Sequence, residues 1–266
     1  MKEEKLKITF PDGNTIETAK NTVASELLKN INGQDSRVLA MRLNNKIYSL
    51  EKKIKYSGKI EPVFIDTKDG ANIYRRSLCL LLAAATHRLY PEYQLLVGHS
   101  LGYGYYYTFR NVNKISAADI ALIEEEMRRM VQQDIPIETD TISYNEATAL
   151  FEKLGLKKTR KQLDFIAAPR VKINAIEDFS DLYFGPLVPS TGALKTFALK
   201  PYGEGFLLRF PASSDHSKLT EFVDEPKLFE IYSKYKKWGQ RIGITAAADL
   251  NELIAKRKIN DFIDIT

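Results

Sequence analysis

Leu89-Tyr90-Pro91-Glu92-Tyr93-Gln94-Leu95-Leu96-Val97-Gly98-His99-Ser100-Leu101-Gly102-Tyr103-Gly104-Tyr105-Tyr106-Tyr107-Thr108-Phe109 is the stretch whose reading decides the fold. Leu89 and Tyr90 end an apolar run that Pro91 cannot continue as helix. Tyr93 to Val97 is a short β-prone segment that stops at Gly98. Gly98, Gly102 and Gly104 permit positive φ or close backbone approach, and Tyr105 to Phe109 is aromatic enough to return as a strand. The predicted unit is helix, strand, glycine turn, strand.

Inside it, Gly98 to Gly102 fits Gly-x-Ser-x-Gly, the elbow that exposes a nucleophilic serine on a strand-to-helix turn. The next seven residues contradict that context, because they are glycine and tyrosine-rich strand rather than helix. Asp215 and His216 follow Ser100 in triad order, but adjacent residues rarely serve as orienter and base for one another. The competing reading is a glycine hairpin with a capping serine.

Upstream of the hairpin, Leu78 to Leu89 is apolar on nearly every face and reads as the central buried helix. Its longest apolar run, Leu78 to Ala85, is far too short to span a bilayer, and Met-Lys-Glu-Glu-Lys at the start has no apolar core of a signal peptide. The only cysteine, Cys79, cannot pair internally and reads as a buried structural thiol. These features point to the cytoplasm and to no membrane contact. A hydrophobic fraction of 44%, a charged fraction of 27% and a formal charge of +5 exclude disordered and collagen-like classes and permit, without requiring, contact with nucleic acid.

Residues 5 to 66 read as a small α/β module. Leu6 to Phe10 and Thr15 to Thr18 pair across Pro11-Asp12-Gly13. A helix follows over Thr22 to Ile31, with Asn21 or Thr22 as its cap. Val38 to Leu43 and Lys46 to Leu50 then join through Asn44-Asn45, a pair suited to a primed turn. Lys46, Lys52, Lys53, Lys55 and Lys59 offer contacts to RNA phosphates, or are a solvated face. Asp66 to Ala71 reads as a linker.

Downstream, Ser116 to Asp119 opens a helix to about Gln133, whose Glu124, Glu125 and Glu126 read as a solvated face paired with Arg128 and Arg129. Ser143 to Glu146 is a capping box before a helix over Ala147 to Leu154. Lys157, Lys158, Arg160 and Lys161 form the densest basic patch, read either as a surface loop or as a phosphate or RNA contact. Residues 163 to 210 read as strands, with turns at Ala167-Ala168-Pro169 and Pro201-Tyr202-Gly203. Tyr105, Tyr106 and Tyr107 read as sheet residues with one face buried and one wet, or as platforms for bases. A helix from about Pro226 is anchored by Leu228, Phe229, Ile231, Tyr232 and Tyr235. A further helix after Ile242 leads to Asp261-Phe262-Ile263-Asp264-Ile265-Thr266.

Strand, Pro-Asp-Gly turn, strand, helix and further strands in the first module resemble the TGS domain, a ubiquitin-like β-grasp. Leu89-Tyr90-Pro91 with the Gly-rich tyrosine segment, and Phe179-Ser180-Asp181-Leu182-Tyr183-Phe184-Gly185-Pro186-Leu187-Val188-Pro189-Ser190, resemble the second additional (editing) domain of threonyl-tRNA synthetase. That family carries histidines and a cysteine suited to metal there. The resemblance puts Leu80 and Ala84 on the helix, and Tyr183 and Leu187 downstream, at those positions, so no metal site is expected. Arg75-Arg76-Ser77, Gly98 to Gly102 and the segment after Ile242 are similar to bacterial uridine kinase-like nucleoside kinases.

The resemblances imply an α+β fold, with a TGS-like domain over 1–67, a synthetase editing-domain-like domain over 68–225 and a helical connector over 226–266. The chain has no Gly-x-x-x-x-Gly-Lys-Ser/Thr loop. The expectation is therefore the accessory, catalytically silent half of a nucleoside kinase. Its partner would be its own C-terminal kinase domain, with ATP and magnesium held only there and none in this chain. A nucleotide or RNA is the expected ligand, with His99, Ser100, Tyr105, Asp181 and Tyr183 as candidate pocket residues. The alternative is a free-standing synthetase-like tRNA-binding protein or a metal-free aminoacyl-tRNA deacylase.

Overall fold

The structure is a computed structural model that describes residues 5–32, 35, 37–110, 112, 114–166 and 168–258. It has a mixed α+β architecture in which three sheets and several helices surround one long helix.

The first sheet comprises β1 (Lys5–Thr9), β2 (Thr15–Ala19), β3 (Val38–Leu43), β4 (Lys46–Tyr48) and β5 (Gly58–Phe64), in the order β2-β1-β5-β3-β4. β1 and β5 run parallel, and the other pairs are antiparallel. Period-2 alternation turns Leu6 and Ile8 inward, where they pack with Leu27 and Leu28 of α1 (Ala24–Asn32) and with Met41 and Ile60. Asn44 takes φ 52°, the turn conformation expected of it. Neither Asn21 nor Thr22 caps α1. The Thr22 hydroxyl donates to the Ala19 carbonyl, and the amides of Ala24 and Ser25 donate to the carbonyls of Lys52 and Leu50, at 2.9 and 3.0 Å. Ile31, expected on the apolar face, has a side chain outside the described residues.

The segment expected as a linker is instead the first turn of α2 (Lys68–Leu89). Thr67 accepts a hydrogen bond from the Gly70 amide as N-cap. A Cβ on Gly70 would stand 1.9 Å from the Phe64 carbonyl oxygen, so glycine lets the helix start directly against the end of β5. Threonine and aspartate suit a turn and a helix cap equally, which is why the sequence misled here. Arg42 bonds Asp69 at 2.7 Å, and Leu39 and Val63 of the first sheet share one core with Ile73, Tyr74 and Leu78 of α2.

α2 is buried along most of its length, as expected. The predicted hairpin forms as β6 (Leu95–Ser100) and β7 (Gly104–Phe109), with a bulge between Val97 and Ser100. It joins β11 (Ala198–Tyr202) and β12 (Gly205–Arg209) in an antiparallel sheet ordered β11-β12-β7-β6. α3 (Ala117–Gln132) lies against α2 with Ser116 as its cap. A third sheet, β10-β9-β8, is built from β8 (Glu138–Ser143), β9 (Arg170–Ile176) and β10 (Phe179–Asp181), and α4 (Tyr144–Lys153) packs on it behind a complete Ser143–Glu146 capping box.

Lys157–Ile166 is a helix, α5, rather than a loop or the start of a strand. It contains no Gly or Pro, most of its residues are good helix formers, and its buried Leu163 meets Ala147 and Phe151. Ala167, expected in a turn, lies outside the described residues. The chain then forms α6 (Pro226–Arg241) and α7 (Ala247–Ala255). Leu228, Phe229 and Tyr232 of α6 pack beside Leu101, Tyr106 and Leu207, whereas the expected anchors Ile231 and Tyr235 are 49% and 63% exposed. The segment Asp261 to Thr266 lies outside the described residues. Among the described residues no helix is long and apolar enough to cross a membrane.

Candidate functional site

Alternation along β7 divides its tyrosines between two covered faces. Tyr105 and Tyr107 turn toward the α2 core, and Tyr106 packs against Tyr202 and Phe229 on the α6 side. Neither face is left open as a platform for bases. Tyr107 lies against Cys79 of α2, whose thiol burial pushes up to about 11 and so keeps protonated. Burial likewise pushes the phenols of Tyr107 and Tyr183 well above the usual tyrosine value.

Asp181, the last residue of β10, neighbours Tyr183. Its Oδ1 accepts from the Thr159 hydroxyl of α5 at 2.9 Å and from the Leu182 amide at 2.7 Å. Burial outweighs those two hydrogen bonds and pushes the carboxyl up to about 6, so protonated and ionised forms coexist near neutral pH. Arg76 sits one helical turn before Cys79, and its Nη1 donates to the Pro186 carbonyl at 2.8 Å. A Cβ on Gly185, at φ +117°, would come within 2.7 Å of that nitrogen, so the guanidinium lies against backbone that glycine leaves open. Arg75 stacks on Phe210 at 4.8 Å, and Phe210 meets Tyr105 at 4.9 Å. A carboxyl with a raised pKa, a guanidinium and two phenols thus come from β10, α2, β7 and the chain after β10, with both phenols near Cys79 of α2.

Of the candidates predicted from sequence, Tyr105, Asp181 and Tyr183 belong to this cluster. His99 and Ser100 do not. His99 stacks on Tyr232 of α6 at 4.0 Å, and the Ser100 hydroxyl donates to the Gly104 carbonyl across the hairpin at 3.3 Å. No helix follows Ser100, Asp215 accepts from Ser217, and His216 packs on Tyr74, so the elbow reading gives way to the hairpin. Leu80, Ala84 and Leu187 are buried in the apolar core and offer no donor atom, so these positions do not fit a metal ion.

The expected basic patch on α5 is already engaged. Lys158 bonds both oxygens of Asp249 at 2.6 and 2.7 Å, Lys161 reaches Asp249 and Glu252, and Arg160 bonds Asp164 and Glu152. Burial opposes ionisation of Asp249, but Lys158, the Thr245 amide and Lys161 prevail and hold its carboxyl far below the usual range. Lys157 is exposed. Glu126 departs from the expected solvated face. It is buried between Arg88 and Arg129, while Glu124 pairs with Arg128 and accepts from the Leu199 amide.

Arg76 and Thr159 escaped sequence reasoning. Arg76 lies i−3 from Cys79 on one helix face, a usable signal, whereas nothing local marks Thr159.

No family model matches the chain. The chain is similar to threonine-tRNA ligases. It is 35% identical to that of Desulforamulus reducens over 196 residues, 73% of this chain and 31% of the relative. For Carboxydothermus hydrogenoformans the identity is 32% over the same shares. For threonine-tRNA ligase 1 of Bacillus subtilis it is 35%, over 73% of this chain and 30% of the relative. The chain thus spans about a third of the length of the curated relatives it matches. These relatives overturn the nucleoside-kinase expectation, and with it the kinase domain as partner. The likeness to kinases rested on short segments, whereas the ligase match extends over most of the chain.

Proposed function

We propose that this chain is a tRNA-recognition module, with the cluster of Arg76, Tyr105, Asp181 and Tyr183 as its ligand site. The observation that carries this reading is the 35% identity to a threonine-tRNA ligase across 73% of the chain. The order β2-β1-β5-β3-β4 with a parallel central pair supports a TGS-like β-grasp unit over residues 1–67. The unit over 68–225 is then editing-domain-like, with 226–266 as a helical connector. His99 and Ser100, on the hairpin side, are outside the proposed site. The proposal uses no metal or cofactor held by this chain. The test is fluorescence anisotropy with labelled tRNA: saturable binding with a steep salt dependence is expected, and the absence of binding at low salt refutes the reading.

Asp181 favours a second reading, metal-free hydrolysis of an aminoacyl ester. A carboxyl at about 6 is poised to accept a proton from water near neutral pH. Deacylation of a mischarged tRNA, lost in Asp181→Asn, is the expected result. Equal rates for the two proteins refute this second reading and leave the binding module.

A further inference from the structure

α7 is held on the protein by charge more than by apolar packing. Its nine residues include Asp249 and Glu252 and no basic side chain, and α5 is the element it packs on. Lys158 of α5 donates to both oxygens of Asp249 at 2.6 and 2.7 Å. Lys161 donates to Asp249 at 3.1 Å and to Glu252, and Asn251 donates to Gln162 at 3.3 Å. Among the described residues of α7, Ala248 alone is a buried apolar side chain, and Ile254 is 53% exposed. None of them belongs to the apolar cores around α2, under the first sheet, between α4 and β9, or beneath α6. Lys158 and Lys161 keep 28% and 31% of their side chains exposed, and ion pairs that water reaches are individually weak and screened by salt. α5 itself breaks a local rule. Lys157, Lys158, Arg160 and Lys161 crowd its first five positions and its first turn has no carboxylate, although the N-terminal end of a helix disfavours cations. That arrangement calls for anions brought from elsewhere, and in the free chain α7 supplies two. Thr159, between Lys158 and Arg160, donates to Asp181, so the same helix forms one side of the proposed ligand site.

We infer that Lys158 and Lys161 form a phosphate-binding face that α7 covers in the free chain, and that RNA takes this face by displacing Asp249 and Glu252. This rests on the tRNA-recognition reading above and adds to it a contact that can be opened or closed. Two carboxylates on two lysines present the charge pattern of neighbouring backbone phosphates, the groups that lysine contacts without regard to sequence. Lysines three positions apart lie on one face of a helix, so a single strand of RNA meets both. A small anion neutralises one lysine at a time, whereas a polyanion replaces both carboxylates in one event. α7 leaves no large apolar core when it moves away. It gives up the burial of Ala248, the ion pairs to Lys158 and Lys161, and the Asn251–Gln162 hydrogen bond.

The test measures tRNA affinity for this chain, for Asp249→Asn/Glu252→Gln, and for a Glu221→Gln/Glu225→Gln control that changes net charge equally on exposed residues outside α5 and α7. Asparagine at 249 keeps an oxygen for the Thr245 and Ala246 amides, so α7 retains its first turn, and folding is checked by circular dichroism. A part-exposed ion pair is worth a factor of up to about five, so the Asp249→Asn/Glu252→Gln protein is expected to bind roughly tenfold tighter than the wild type. That advantage shrinks as salt rises, and the control stays close to the wild type. Adding Lys158→Ala/Lys161→Ala to the neutralised protein is expected to abolish the gain. In the wild type, saturating tRNA should accelerate hydrogen exchange over 245–255 and slow it in α5. Unchanged affinity after neutralisation, or equal tightening in the control, overturns the inference and leaves the RNA-binding reading standing. Unchanged exchange over 245–255 at saturating tRNA overturns it as well. No RNA binding by any of these proteins overturns both. Equal tightening toward an unrelated hairpin RNA keeps the covered face and refutes the tRNA assignment.

Discussion

Replacing Asp181 by asparagine should stabilise the protein near neutral pH. The carboxyl moves from an ordinary 3.8 to about 6 because burial works against its charge. At about 1.4 kcal/mol per pKa unit, holding that charge in the folded chain at pH 7 costs up to about 3 kcal/mol. Asp181 as a residue is only part-buried, and solvent screening brings the expected effect to about 1–2 kcal/mol. Asparagine keeps an oxygen to accept from the Thr159 hydroxyl and the Leu182 amide, the two bonds that Oδ1 makes. Below about pH 3 the group is protonated in the folded and unfolded chains alike, so it contributes no difference. As pH rises through the unfolded value the unfolded chain ionises first, and stability falls until the folded group has also ionised, above about pH 6. Urea titrations at pH 4.5 and 7.5 measure this directly. The wild type should lose about 1–2 kcal/mol of stability between these conditions that Asp181→Asn does not lose. An asparagine variant that is less stable at pH 7.5, or one whose change with pH matches the wild type, refutes the argument. A carboxyl retained at a cost in stability is what a site with a chemical task would show.

Asp249→Ala should free α7 from α5, because it removes the partner of Lys158 and Lys161 and the acceptor for the Thr245 and Ala246 amides. Hydrogen exchange over 245–255 should accelerate at least tenfold, while exchange in α2 stays unchanged. Phe151→Ala removes a fully buried ring from the small core between α4, α5 and β9, and should cost about 3–5 kcal/mol in chemical denaturation. Gly70→Ala should be more disruptive than its single methyl suggests, since the Cβ falls 1.9 Å from the Phe64 carbonyl oxygen; a loss of thermal stability of several degrees is expected, and an unchanged Tm would contradict the close packing of α2 on β5. His99→Ala should weaken the seating of α6 by removing the ring stacked on Tyr232, without altering RNA affinity.

The residues of this chain specify much of its local structure unaided. The Gly-rich hairpin, the Asn44 turn, the Ser143–Glu146 capping box and the apolar α2 follow from rules that act over one to four residues, and each appears where those rules place it. Short-range rules fail where two outcomes share one composition. The run from Asp66 to Ala71 has the residues of a linker and of a helix cap, and only the end of β5, close enough to exclude a Cβ, selects the cap. The basic run at Lys157 to Lys161 is equally open as sequence, and Asp249 and Glu252, some ninety positions away, decide that it is a helix–helix contact. The cluster of Arg76, Tyr105, Asp181 and Tyr183 belongs to the same class, because its members span more than a hundred positions of the chain and are brought to one region only when α2 is buried among the sheets. Periodicity and capping fix which way a side chain leaves its own element. What it meets there is set by long-range packing, which the free-energy balance of the whole core determines.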